Sequence, residues 1–303
     1  MEASSQRAWQ GRLALMVMLG VAAAAACALA LMWGKAPAAS AQDAGEPTRD
    51  ASFVVRCDFS HRKQDDPIVS PGGTAFHMHD FFGNTTTNRN STLVSLRAGG
   101  TTCLNPGDKS AYWIPTAKWT DSGRTRTRNA NRGLFYYRAG GKADDAVELY
   151  PDGLKVVTVQ GSNVTWKCEG GTESSSPPSR CSSGKLVVRI VFPDCSDGNI
   201  DSADHRSHMV HAVQQSDGTM RCPSTHPKPV PALTMNVRFP IPTTSGTVRL
   251  SSDHQGDPPG STMHADFYNV WDPGALTRLI DRCIKAAPFT ASNPKPSECK
   301  LIN

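Results

Sequence analysis

The chain contains none of the short signatures of the commonest enzyme classes. It has no GxSxG nucleophile elbow, no HExxH, no Walker-type phosphate loop and no GxGxxG fingerprint, which takes serine hydrolases, zincins and nucleotide-dependent enzymes out of the front rank. It has no CxxC pair, so neither thiol redox chemistry nor a cysteine zinc site is the first reading of its cysteines. It also lacks a large charge of one sign. The 32 Lys and Arg against 27 Asp and Glu leave a formal +5, too mild to suggest nucleic acid as a partner. No internal repeat and no long linker divide it, and helical periodicity is nearly missing.

The one long apolar run is at the start. Arg7 and Arg12 precede uncharged residues from Leu13 to Trp33, followed by Ala39-Ser40-Ala41, which reads as an export segment with a cleavage signal, so the mature chain is expected to begin near Gln42. The run exceeds the roughly 7–15 residues of a usual signal core and approaches the ~20 that span a bilayer, so a retained membrane anchor is the alternative. Residues 42–51 read as a flexible lead-in, and 52–303 as a single domain outside the cytoplasm.

Cysteine usage agrees with that compartment. Beyond Cys27 of the leader, eight remain, an even set. Cys168 and Cys181 bracket a turn-rich loop and Cys283 and Cys299 another, so each is expected to pair locally. Cys57 with Cys103 and Cys195 with Cys222 is then one arrangement of the other four, which spacing alone leaves open.

Short β-branched or aromatic segments bounded by Gly, Pro, Asn or Asp recur: SFVVRC, STLVSLRA, GLFYYRA, LKVVTVQ, KLVVRIVF, LTMNVRFP and GTVRLSS. They predict an all-β fold, a single β-sandwich or jelly-roll-like domain with long loops. DPGALTRLIDRCIKAA predicts one C-terminal helix burying Leu276, Leu279, Ile280 and Cys283. RTRTR at 124–128 predicts a charged edge strand, with an anionic glycan as the functional alternative.

Histidines concentrate in HMHD (77–80), DHRSHMVH (204–211), STHP (224–227) and MHAD (263–266). On a strand, His77 and His79 would share one face while Phe76 and Met78 pack on the other, and His264 and Asp266 would likewise share a face. His205 and His208, three apart, would be neighbours on a helical turn, with Asp204 beside them. Three chemistries suit such clusters: an open transition-metal site, a histidine general base or acid oriented by a carboxylate, and a groove that only holds sugar. Met78, Met209 and Met263 read as core rather than copper ligands. The loop from Asp194 has calcium-like spacing at Asp197, Asn199 and Asp201 but lacks the later Gly and Glu of an EF-hand.

In order, DPIVSPGGTAFHMHDFFGN, TTCLNPGDKSAYWIP, LFYYR, FPDCSDGNIDSADHRSHM, CPSTHPKPVPAL and MHADFYNVWD resemble a family of secreted domains of unknown function found in bacteria and in fungal wall proteins, often joined to WSC modules. The resemblance runs from about Phe53 to Cys283 and implies that His77, His79, Asp80, Asp108, Tyr112, Trp113, His205, His208, His226, His264, Asp266 and Trp271 occupy signature positions. It implies no established activity, and this chain has no WSC-like module.

The expectation is therefore a secreted enzyme that cleaves a polysaccharide or other cell-envelope polymer by hydrolysis or elimination. The four clusters would meet in one cleft. His77, His79, Asp80, His205, His208, His264 and Asp266 would be catalytic, with His79 or His208 as acid or base, oriented by Asp80 or Asp204. Asp108, Tyr112, Trp113, His226 and Trp271 would bind substrate. The alternatives are an extracellular protein binding a divalent metal (zinc, copper or calcium) through His77, His79, His208 and His264, and a non-catalytic glycan-binding domain.

Overall fold

In RGLFYYR, Arg132–Arg138, burial alternates residue by residue, with Gly133, Phe135 and Tyr137 inward. That is the period of a strand with one face on a core, and it repeats along most of the chain. The computed structural model describes residues 51–300 apart from 160 and 162. The export segment expected over 1–41 lies outside the described residues. So does the lead-in expected over 42–51, except for Ala51, which is fully buried and begins the core rather than a flexible approach to it.

The elements in order are β1 (Ser52–Lys63), β2 (His79–Gly83), helix α1 (Leu93–Ala98), β3 (Ala111–Pro115), β4 (Ala117–Asp121), β5 (Arg124–Arg128), β6 (Arg132–Arg138), β7 (Lys155–Val159), β8 (Val164–Cys168) and β9 (Lys185–Val191). Short strands β10 (Cys195–Ser196), β11 (Met209–Val210), β12 (Val213–Gln214), β13 (Met220–Arg221) and β14 (Lys228–Pro229) follow, then β15 (Ala232–Pro240), β16 (Thr247–Leu250), β17 (His264–Tyr268) and helix α2 (Pro273–Ile280). The fold is mostly β, as expected, around one large curled sheet. Its nine strands run in the order β7-β17-β3-β2-β1-β6-β15-β9-β8, and β16-β4-β5 form a smaller sheet.

Alternation sends the two faces of the β7-β17-β3-β2 end into different surroundings. Val156, Phe267, Tyr112 and Phe82 enter the main core, which also receives Phe53, Phe135, Tyr137 and Trp271. Val157, Tyr268, Trp113 and Phe81 face the other way, into a smaller cluster with Ile68 and Leu96. The candidate site lies on this second face.

STLVSLRA, expected as a strand, instead contains α1. Thr92 caps it, accepting from Ser95 N at 3.2 Å while Thr92 N donates to Ser95 Oγ at 2.9 Å, and only Leu96 is buried. Capping chemistry outweighed a short β-like composition. The C-terminal helix forms where expected: Asp272 accepts from Ala275 N at 2.8 Å, Pro273 takes the first turn, and Leu276, Leu279 and Ile280 are buried. Four disulfides join Cys57 to Cys103, Cys168 to Cys181, Cys195 to Cys222 and Cys283 to Cys299. β5 is an outer strand with its arginines largely exposed, and Arg126 lies 3.8 Å from Asp121. No helix among the described residues is long and apolar enough to cross a membrane.

Candidate metal centre

β2 begins at His79, and its neighbours order the site. Antiparallel pairing sets His79 opposite Pro115 and Phe81 opposite Trp113, while Trp113 also pairs with Asp266 of β17. Carrying that register two residues on brings His264 level with Pro115, so His79 and His264 flank β3 on one face, with Asp266 one pleat along. His77 comes from the bend before β2. The bend is pinned because the Met78 carbonyl accepts from Thr116 N at 3.0 Å and Ser251 Oγ at 2.5 Å. Phe76 does not anchor a strand from behind as expected: it is 91% exposed, because the pleat starts two residues later than the HxH spacing suggests.

The three imidazoles converge. One ring nitrogen from each of His77, His79 and His264 lies within 4.8 Å of the others. His79 donates Nδ1–H to the Asp65 carbonyl (3.0 Å) and His264 donates Nδ1–H to the Thr262 carbonyl (2.9 Å). These backbone partners fix the tautomers and leave both Nε2 lone pairs directed inward. His79 Nε2 is buried and without a hydrogen-bond partner. His77 Nε2 is 3.2 Å from His264 Nε2. Two nitrogens on one tetrahedral zinc at about 2.0–2.1 Å are ~3.3 Å apart, so this spacing already matches one edge of such a site.

Carboxylates complete the surroundings. Asp266 is fully buried and neither of its oxygens has a hydrogen-bond partner. Asp66, His79 and Asp266 each place a donor atom within 4.8 Å of the others. Asp66 Oδ1 accepts from Ile68 N and Val69 N, both at 2.9 Å. A cavity of about 150 Å³ opens over the group, with Val157 and Arg206 on its wall.

Burial governs the protonation states. Desolvation, then the neighbouring His264 and His254, push His77 down to about 4. Burial, then His77 and His264, hold His79 well below its ordinary value, and burial lowers His264 against the opposing pull of Thr262. At neutral pH all three are therefore neutral, the form that binds metals. Burial, then Asp66, raises Asp266 well above the usual carboxylate range.

The other expected residues are elsewhere. Asp80 follows His79 on the strand and so points to the opposite face, where it accepts from Arg62 Nε (2.6 Å) and Thr116 Oγ1 (2.7 Å); it does not orient His79. His205 and His208 share no helical turn, since His205 has a left-handed φ of 57°. His205 Nδ1–H donates to Asp201 (2.8 Å), and His208 donates Nε2–H to the Lys155 carbonyl (2.7 Å). Asp204 caps its own turn at Arg206 N (3.1 Å) and Ser207 N (2.9 Å) rather than holding an imidazole. His226 donates Nε2–H to the Ser207 carbonyl (2.8 Å). These three histidines secure a loop over the outer edge of β7, a strand that ends the large sheet.

Asp108, Tyr112, Trp113 and Trp271 expose no surface on which a sugar could stack. Tyr112 donates to Asp108 (2.8 Å) and hydrogen-bonds Tyr137, which accepts from Trp271 Nε1 (3.1 Å), so this is a buried polar network in the main core. Trp113 packs against Phe81 behind the centre, ring centroids 5.5 Å apart. Sequence reasoning missed Asp66 and Arg206. Asp66 lies in the resembling block DPIV, and Arg206 stands between the two histidines of DHRSH.

No curated protein and no solved structure matches the chain. The sequence model of one family, described as Domain of unknown function (DUF1996), matches residues 66–271, a span that holds all three converging histidines and Asp266, and the chain belongs to that family.

Proposed function

We propose that this is an exported metalloprotein in which His77, His79 and His264 hold one divalent transition ion, zinc in the first instance, and that the ion activates water for hydrolysis of a cell-envelope polymer. The observation that carries the reading is the convergence of three neutral imidazoles, two of them held by backbone carbonyls, around a buried and unpartnered nitrogen of His79. Nitrogen-rich donor sets suit zinc, copper or iron, whereas calcium takes six to eight oxygens, so calcium drops out of the expected metals here. Export is supported by the four disulfides, which persist in oxidising compartments.

An ion held by three protein ligands would keep a position for water, and Asp266, close to His79, would take that water's proton once the ion's positive charge favours its ionised form over the protonated form that burial favours. This replaces the metal-free acid–base scheme. His79 has no carboxylate partner and its ordinary titration range is lost to burial, both of which make it a poor general base at neutral pH.

The test is metal stoichiometry by mass spectrometry on tag-free protein purified without chelator or added metal, alongside a His79→Gln/His264→Gln variant. Near-equimolar metal that disappears in the variant is expected. A wild-type protein that carries no ion and rebinds none would refute the centre. Release of product from envelope polymers, abolished by chelator and restored by zinc, then tests the hydrolytic step.

A further inference from the structure

One exposed cation on the wall of the cleft has no side-chain hydrogen bond or ion pair among the described residues. Arg206 lines the cavity together with His77, His79, His264 and Asp266. Among the described residues its hydrogen bonds come from the backbone: N donates to Ser202 Oγ (3.2 Å) and Asp204 Oδ1 (3.1 Å), and the carbonyl accepts from Met209 N (2.9 Å). Arginine elsewhere in this chain is commonly paired, as in Arg62 with Asp80 and Arg89 with Asp65.

The position of Arg206 is fixed from two sides. The carbonyl of His205 accepts from Val157 N at 3.0 Å, and Val157 is the cross-strand partner of Asp266. His208 ties the rest of the loop to the Lys155 carbonyl, and His226, from the 224–227 segment, donates to the loop's Ser207 carbonyl. The histidine-rich segment that contributes no ligand thus delivers an arginine beside the ligands.

We propose that Arg206 is a specificity-determining residue that pairs its guanidinium with an oxyanion, carboxylate or phosphate, on the molecule processed at the ion. The guanidinium presents a planar fork of donors that matches either oxyanion in a bidentate manner, and it repels cationic substrates from the cleft. This inference rests on the metal reading above and names the substrate class as anionic.

The experiment uses the full chain loaded with cobalt(II), whose visible absorption reports on its coordination. Wild type, Arg206→Gln and Arg206→Lys are titrated with inorganic phosphate and, separately, with acetate, and cobalt content is measured in each. The expected result is saturable binding in wild type, at least tenfold weaker in Arg206→Gln at unchanged cobalt content, with partial recovery in Arg206→Lys. Tighter binding of phosphate or of acetate identifies which oxyanion the substrate carries. Equal affinities in wild type and Arg206→Gln, or no saturable response in cobalt-loaded wild type, would overturn the inference and leave the metal centre standing. Failure of wild type to take up cobalt would remove the metal centre and this inference with it.

Discussion

His77 and His264, 187 residues apart in the chain, bring their Nε2 atoms to 3.2 Å. His264 has committed its Nδ1–H to Thr262, so its Nε2 offers a lone pair. Neutral His77 can meet that lone pair in two ways, by donating Nε2–H to it or, as the Nδ1–H tautomer, by sharing a cation with it, while burial makes a charged imidazolium costly. A bound ion is the arrangement that would use a lone pair from all three rings at once, the unpartnered Nε2 of His79 included.

The first consequence is thermal. Adding zinc to chelator-stripped protein is expected to raise the melting temperature, with a stabilisation of about 2.7 kcal/mol when zinc is at about 100 times its dissociation constant. In His264→Gln the increment should vanish. A melting temperature indifferent to zinc in the wild type would contradict the centre.

Acid should destabilise the chelated protein through the same histidines. His77 titrates near 6.5 in the unfolded chain and at about 4 when folded, so the unfolded state binds more protons in between. Stability from this group is complete above about 6.5 and is lost as pH falls toward 4. Denaturant unfolding at several pH values, with chelator present, should show a shallower acid decline in His77→Asn than in wild type. Parallel curves would argue against the depressed histidine.

Asp266 predicts opposite effects on stability and on turnover. Its buried, unpartnered carboxyl is a cost to the metal-free fold, and a β-branched residue suits its strand position. Asp266→Val should stabilise the metal-free protein by about 1–3 kcal/mol while abolishing turnover at the ion. A destabilised variant would show that the carboxyl has an unrecognised structural partner.

Asp108 acts on stability in the opposite pH direction. It is fully buried and desolvation raises it to about 7 from 3.8, so the folded state holds a proton that the unfolded state has lost across that range. Its contribution therefore falls as pH rises from about 4 through 7, by on the order of 4 kcal/mol. Asp108→Asn retains an oxygen to accept from Ser110 N and should remove that decline, with its largest gain in stability above pH 7. Chemical denaturation of both proteins at about pH 5 and pH 8 measures it, and an equal difference at the two pH values would refute the buried proton.

Much of the architecture was readable one segment at a time, because strand alternation, helix caps and turn residues act over a few neighbours. The strands around Phe135 and Val188, the helix after Asp272 and the shared face of His264 and Asp266 are all of that kind. Local chemistry misled where two cues competed, as at Thr92 and Ser95, where the pleat began late, as at Phe76, and where a left-handed residue broke an expected helical turn, as at His205. Strand order is of another kind. Placing β17 beside β3, and β3 beside β2, depends on how the whole core closes, and only that closure joins His79 to His264 while sending His205, His208 and His226 to the edge of β7. The amino-acid pattern decides which face a side chain takes, since that is a matter of its own backbone. Which other side chains share that face is decided by long-range packing, and the centre exists only at that level.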